Sequence, residues 1–316
     1  MLGRIIPLLF ILSFINAQIA LPTFQAVHKP HSTASSTGPV TFTNCGATGV
    51  NGPTQNQANS TYTSGNSLYG TVTINTQGIQ EWTVPTSGSY NIIVRGASGN
   101  RHSTSTTKKF GTGAKLIGTF SLTSGTVLSI LVGQMGSTNN SEWCGCGGGG
   151  GSYVIKKSGN IPLIIASGGA GGDGSGNYTN RSKPGGSKTT GNDVQATTQG
   201  NQKSSGAGGG FAYDGQDGNQ TGGGSSFLNG GVGGTCNYGS GVAHGGFGGG
   251  GGGTWWSMGG AGGGYQGGST ISGYGNSSGP QTAYSYNTGS NTSGSQDGTQ
   301  QTAADSLMHG YVIITW

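Results

Sequence analysis

The sequence predicts an all-β protein: a β-sandwich or jelly roll of short antiparallel strands, with a glycine-rich bundle inserted in it. Three observations carry that expectation. Between residues 68 and 167, apolar residues recur with a period of two, as they do in half-buried strands. Turn chemistry punctuates these runs, with Pro85-Thr86-Ser87-Gly88 before one and Thr123-Ser124-Gly125 between two others. Finally, 71 of the 316 residues are Gly, about three times the usual share, and they come in runs.

The strands are read in order. Thr71–Ile74 and Ile79–Val84 come first. Tyr90, Ile92 and Val94 then alternate with Asn91, Ile93 and Arg95. Leu116, Phe120 and Leu122 share one face around Gly118, and Leu128, Ile130 and Val132 repeat the period. Tyr153–Lys157 and Ile161–Ala166 follow, and Tyr311–Trp316 closes the chain. The distance from Ala166 to Tyr311 makes the glycine-rich stretch an insertion between strands of one sandwich. A helical protein is excluded, because Gly, Ser, Thr and Asn are poor helix formers.

The N-terminus reads as processing. Arg4, the apolar run Ile5 to Ile15 and the small residue Ala17 describe a secretory signal peptide over residues 1–17, too short to span a bilayer. Residues 18–39 read as a flexible leader and 40–316 as one domain. Within that domain, strands occupy about 40–168 and 311–316, the insertion about 169–280, and a polar low-complexity segment about 281–305.

Export gives meaning to seven N-x-[ST] sequons, at Asn59, Asn139, Asn177, Asn180, Asn219, Asn276 and Asn291, each a candidate surface glycosylation site. It also makes Cys45, Cys144, Cys146 and Cys236 candidates for disulfides in any of three pairings.

From Gly206 to Gly268, 30 of 63 residues are Gly. A flexible linker is one reading. Against it stand Phe211, Tyr213, Phe227, Tyr238, Phe247, Trp255, Trp256 and Tyr265, since large rings favour burial. The alternative is a bundle of extended helices with three residues per turn, bonded backbone to backbone where no side chain intervenes.

Catalytic, cofactor and metal sites are expected to be absent. Eight Asp+Glu and five His leave few acids, bases or ligands. Residues 169–174 fit G-x-G-x-x-G, but Ser175-Gly176-Asn177-Tyr178-Thr179-Asn180 cannot form the helix such a site requires. Gly275-Asn276-Ser277-Ser278-Gly279 fits G-x-S-x-G without the flanking strand and helix. The net charge of +5 comes with Lys108-Lys109 and Lys156-Lys157 as its basic pairs and no Arg-Gly-Gly repeat, which argues against nucleic acid.

With those residues laid out, the chain resembles the extracellular glycine-rich region of the anaplastic lymphoma kinase and leukocyte tyrosine kinase receptors. The likeness rests on Thr43-Asn44-Cys45-Gly46-Ala47, on Gly52-Pro53-Thr54-Gln55, and on Gly78-Ile79-Gln80-Glu81-Trp82-Thr83-Val84-Pro85. It continues through Ile130-Leu131-Val132-Gly133-Gln134 and Pro162-Leu163-Ile164-Ile165-Ala166. Gly245-Gly246-Phe247, Gly262-Gly263-Gly264-Tyr265 and His309-Gly310-Tyr311-Val312 complete it in order. The resemblance implies a jelly roll of the tumour-necrosis-factor type carrying a polyglycine-helix bundle, and an extracellular region that binds a protein ligand.

The functional expectation is therefore a secreted, non-enzymatic binding module. Alternatives are a receptor ectodomain fragment separated from its membrane and kinase parts, and a structural glycine-rich protein of a matrix or mucus acting by self-association. Trp255, Trp256, Tyr265 and Tyr311 are the candidate partner-binding residues, since exposed aromatics favour interfaces. The competing reading is that these rings cap the glycine bundle.

Overall fold

The structure, a computed structural model, describes residues 38–101, 110–138, 144–173, 185–186, 193–199, 204–237, 243–254, 258–271, 280–295 and 308–316. The expected signal peptide, and the expected leader as far as residue 37, lie outside them. The elements are β1 (Val40–Phe42), α1 (Gln55–Thr61), β2 (Val72–Thr76), β3 (Ile79–Thr83), β4 (Gly88–Arg95), β5 (Lys115–Leu122), β6 (Val127–Leu131) and β7 (Ser152–Lys156). They continue with β8 (Ile161–Ala166), β9 (Thr198–Gln199), β10 (Thr270–Ile271), β11 (Tyr286–Asn287), β12 (Ser290–Ser295) and β13 (Tyr311–Thr315). No helix among the described residues is long and apolar enough to cross a membrane.

Two antiparallel sheets form an all-β sandwich. One has the order β1-β13-β4-β5-β12 and the other β11-β8-β7-β6-β3-β2, while β9 and β10 form a short parallel pair. The alternation in β4 and β13 turns Tyr90, Ile92 and Val94, with Val312 and Ile314, into the space between the sheets. From the opposite sheet come Trp82, Leu128, Ile130, Val154 and Ile164. Trp316 seals one end of this core, stacked on Tyr90 at 5.5 Å and tilted against Trp82 at 5.6 Å between ring centroids.

Strand β6 departs from the half-buried expectation: Leu131 is as completely buried as its neighbour Ile130. The same holds for Tyr153 and Ile155 in β7 and for Ile165 in β8. The reason is a third layer. The outer face of the six-stranded sheet, carrying Ile79, Leu131, Tyr153, Ile155 and Ile165, is covered by Phe227 and Phe247, with Phe211, Tyr265 and Tyr286 packed against them.

Three elements arise where the sequence offers little apolar signal. Helix α1 is held by a capping box in which Thr54 and Gln57 exchange hydrogen bonds with each other's backbone. Strands β11 and β12 fall within the polar segment at 281–305 and add to β8 and β5 respectively. At a sheet edge the ladder needs backbone groups rather than an apolar face.

The third layer is built from glycine backbones. Residues 145–151 run among segments 97–100, 134–137, 169–172, 246–251 and 258–264, to which they are hydrogen-bonded. The Gly148 N–H donates to the Gly251 carbonyl at 3.0 Å, Gly149 to Gly169 at 2.8 Å and Gly150 to Gln134 at 2.9 Å. In return, their carbonyls accept from Gly246, Gly263 and Ala97 respectively.

The neighbours repeat every third residue. A Cβ placed on Gly145, Gly148 or Gly151 would meet Met258, Ala261 or Gly264 in turn. On Gly147 and Gly150 it would run into the carbonyls of His244 and Phe247, and on Gly149 into that of Ser98. Each face of the segment thus rests directly on another main chain, an approach open to residues without side chains.

Candidate binding surface

A file of five rings fixes the glycine layer to the sheet. Tyr153 meets Phe227 at 5.3 Å between centroids, Phe227 meets Phe211 at 5.7 Å, Phe211 meets Tyr265 at 6.1 Å, and Tyr265 meets Tyr286 at 4.3 Å. The Tyr153 hydroxyl, fully buried, donates to the Gly264 carbonyl at 2.9 Å. Burial and the nearby Asp193 carboxylate push that phenol far above its ordinary range.

Of the sequence-chosen partner residues, Tyr265 belongs to this file, which is a packing role with one side left half-exposed. Tyr311 begins β13 opposite Arg95 of β4, also half-buried, in the other sheet. The structure therefore places these two on different layers. Trp255 and Trp256 lie outside the described residues.

An apolar surface that sequence reasoning missed surrounds the turn at 210–214. Val194, Tyr213 and Leu228 are 48 %, 51 % and 45 % exposed. The segments carrying them are bonded to one another: the Gly210 N–H donates to the Tyr213 carbonyl at 2.8 Å, and the Leu228 N–H to the Phe211 carbonyl at 3.1 Å. The Ala212 N–H donates to Asp193 Oδ2 at 2.6 Å, and Gln195 Nε2 to the Asp214 carbonyl at 3.2 Å. Asp214 braces the next turn, its Oδ1 accepting from the Ser226 N–H at 2.6 Å and from Asn229 Nδ2 at 3.0 Å.

The two carboxylates are shifted in opposite directions. At Asp214 burial works against ionisation, but the donors at Ser226 and Asn229 outweigh it and hold the acid below its usual range. At Asp193 burial dominates and raises the carboxyl, with Oδ1 buried and unpartnered beneath Gly210. A neighbouring groove of about 460 Å3 is lined by Asp217, Gln220, Thr221, Thr235 and Asn237 among glycines. Two of its lining residues are bonded, the Gly223 N–H donating to Asp217 Oδ1 at 2.8 Å.

Such a surface can bury apolar side chains and offer hydrogen bonds around them. No group of three His, Cys, Asp or Glu stands ready for a metal ion among the described residues. The amides of the G-x-G-x-x-G stretch are already used, Gly169, Gly171 and Gly172 donating to the carbonyls of Ala97, Gly260 and Asn100. Residues 275–279 lie outside the described residues.

The expected disulfides are not formed; none of the four cysteines is disulfide-bonded. Cys45 sits in the sandwich core, its thiol 3.6 Å from the Thr43 carbonyl and raised in pKa by burial. Cys144 and Cys146 are buried in the glycine layer, and Cys236 is half-buried in a separate bridge to Thr221. Among the sequons, Asn59 is exposed on α1 and Asn291 is exposed on β12. Asn219 is half-buried beside its buried Thr221. Asn139, Asn177, Asn180 and Asn276 lie outside the described residues.

Two histidines serve as backbone acceptors. His244 Nδ1 takes the Cys236 N–H at 2.8 Å, and His309 Nδ1 takes the Met135 N–H at 3.1 Å. Burial lowers both from the ordinary 6.5. The unfolded chain therefore binds protons first as pH falls, so stability from these rings is full above about pH 6.5 and lost as pH drops through their lowered folded values. The raised Asp193 carboxyl acts in the opposite sense. Melting midpoints recorded from about pH 8 down to about pH 5 are expected to fall more steeply than in a His244→Asn/His309→Asn variant, whose amide oxygens accept without titrating. Equal slopes would deny the two rings this role.

No protein-family model matches the chain. Over 101 residues it is 40 % identical to the leukocyte tyrosine kinase receptor of Mus musculus, a match covering 31 % of this chain and 11 % of the receptor. The chain thus spans a small part of that protein, and the relation to its family is a partial one.

Proposed function

We propose that this chain is an extracellular, non-enzymatic protein-binding module of the kind found in leukocyte tyrosine kinase-type receptors. In this reading the sandwich is a jelly roll and the third layer a bundle of polyglycine helices. The repeat of neighbours at every third residue of 145–151 supports the second point, since three residues make one turn of such a helix.

The observation that carries the function is the apolar trio Val194, Tyr213 and Leu228, standing exposed on a backbone fixed from below. Apolar side chains held by a rigid platform lose little freedom on association, which favours affinity. An aromatic centre with a polar rim is the usual anatomy of a binding hot spot, and Asp214, Asn229 and the polar groove supply that rim.

The test immobilises the protein, exposes it to extracellular fluid of the source organism, and identifies what is retained by mass spectrometry. Tyr213→Ser with Leu228→Ser is expected to weaken the retained protein's binding by about tenfold or more, with the melting temperature almost unchanged because both side chains are exposed. Equal retention by the variant would overturn the assignment. Sequencing the transcript beyond Trp316 separates two forms of the proposal. A stop codon there gives a secreted module, and a later apolar run of about 20 residues gives a receptor ectodomain.

A further inference from the structure

Each sheet of the sandwich has two outer strands, and the four edges are treated differently. β1 is three residues long, follows Pro39 and buries Val40 and Phe42. β11 is two residues long. β2 is plugged: the Gln55 side chain reaches across from α1, donating to the Val72 carbonyl at 3.2 Å and accepting the Ile74 N–H at 2.6 Å. Short length, proline and a covering side chain are recognised ways of keeping a sheet edge from pairing with another molecule.

Among the described residues, β12 has none of these. It runs for six residues, Ser-Asn-Thr-Ser-Gly-Ser, without a charge or a proline. Ser293, Gly294 and Ser295 lie in register on Ile117, Leu116 and Lys115 of β5, and among the described residues no strand lies on their other side. What β12 does carry is the sequon Asn291-Thr292-Ser293, placed at the irregularity between Ser290 and Ser293. Asn291 has φ +48° and is exposed, as are Thr292, Ser293 and Gly294. The residues flanking Asn291 in the strand are small, Ser290 before it and Thr292, Ser293 and Gly294 after it.

We infer that Asn291 is N-glycosylated and that its glycan guards β12 against antiparallel pairing with β12 of a second copy of this chain. A two-fold axis at that edge would continue the five-stranded sheet across two molecules, a self-complementary contact of the commonest kind. A hydrophilic, mobile oligosaccharide at the head of the strand occupies the space the second strand needs. The inference rests on the extracellular reading, because the modification requires passage through a secretory pathway.

The experiment expresses the full chain in a eukaryotic secretory host. It maps glycans at Asn59 and Asn291 by peptide mass spectrometry and follows mass against concentration by sedimentation velocity. Ser293→Ala removes the sequon while keeping Asn291, which tolerates a positive φ better than most residues. Wild-type protein is expected to carry sugar at Asn291 and to stay monomeric. Ser293→Ala is expected to rise toward about twofold mass at concentrations where wild type does not. Adding Thr292→Lys to that variant is expected to restore the monomer by placing a charge on the bare edge, and melting curves verify that all three proteins are folded. Sugar at Asn59 with none at Asn291, or a Ser293→Ala protein as monomeric as wild type, overturns the inference. Failure to be secreted, with both asparagines bare, overturns the extracellular reading and takes this one with it.

Discussion

Gly150→Ala is expected to lower stability by about 3 kcal/mol or more, whereas Gly65→Ala is expected to be neutral or slightly stabilising. A methyl on Gly150 would drive into the Phe247 carbonyl and the Gly248 α-carbon, both main-chain atoms with no rotamer to yield. Around Gly65 nothing lies within 4 Å. Gly147→Ala, Gly148→Ala and Gly149→Ala extend the test, because each addresses a different neighbour: His244, Ala261 and Ser98. All three should be costly if 145–151 is enclosed on every side. Denaturant unfolding of this series against Gly65→Ala decides the matter. A Gly150→Ala protein as stable as Gly65→Ala would mean that the glycine layer is loose.

Phe247→Ala is expected to cost about 3–5 kcal/mol, the usual range for removing a buried phenyl ring. The ring is 1 % exposed and lies against the α-carbons of Gly52 and Gly78, and Gly78 itself has φ +86°. Its own N–H donates to the Gly49 carbonyl at 2.9 Å, tying the segment after β1 to the glycine run. Hydrogen exchange adds a spatial readout. Amides of residues 148–151 should lose protection in the variant while those of β4 and β13 keep it, since the latter are held by the core between the sheets. A loss below about 1 kcal/mol, or uniform deprotection, would contradict this division of labour.

The sandwich was legible where side chains alternate. Ile161–Ala166 coincides with β8, and the periodicity of Tyr90, Ile92 and Val94 marks β4. Two edge strands that escaped notice are β11 and β12, whose backbone pairing leaves no trace in hydropathy: Ser290–Ser295 falls in the stretch read as a polar low-complexity segment and folds as β12. Helix α1 was signalled by Thr54 and Gln57 at capping-box spacing, but its sequence QNQANST has no apolar stripe to draw attention. The double burial of β6 to β8 was written in their near-continuous apolar runs, and the period of two was the weaker clue. At the surface, Tyr265, a candidate for either partner contact or capping of the glycine layer, is half-exposed and belongs to the ring stack. The segments carrying Val194, Tyr213 and Leu228 are joined by hydrogen bonds of Asp193, Gln195, Asp214 and the Leu228 N–H, contacts that no local pattern encodes.

The order of strands in the five-stranded sheet has a consequence for biogenesis. β13 lies between β1 and β4, yet it is made after every other strand of that sheet. Until Tyr311–Thr315 leaves the ribosome, β1 has no partner and β4 is paired with β5 alone. The nascent sheet thus waits, open between β1 and β4, for a strand that joins residues more than 200 positions apart in sequence, as Ile314 does with Val40 and Ile92. Closure over such separations is slow and leaves sticky edges exposed meanwhile. Translation that halts before residue 311 yields a chain with a slot between β1 and β4, open to insertion of a strand from another molecule.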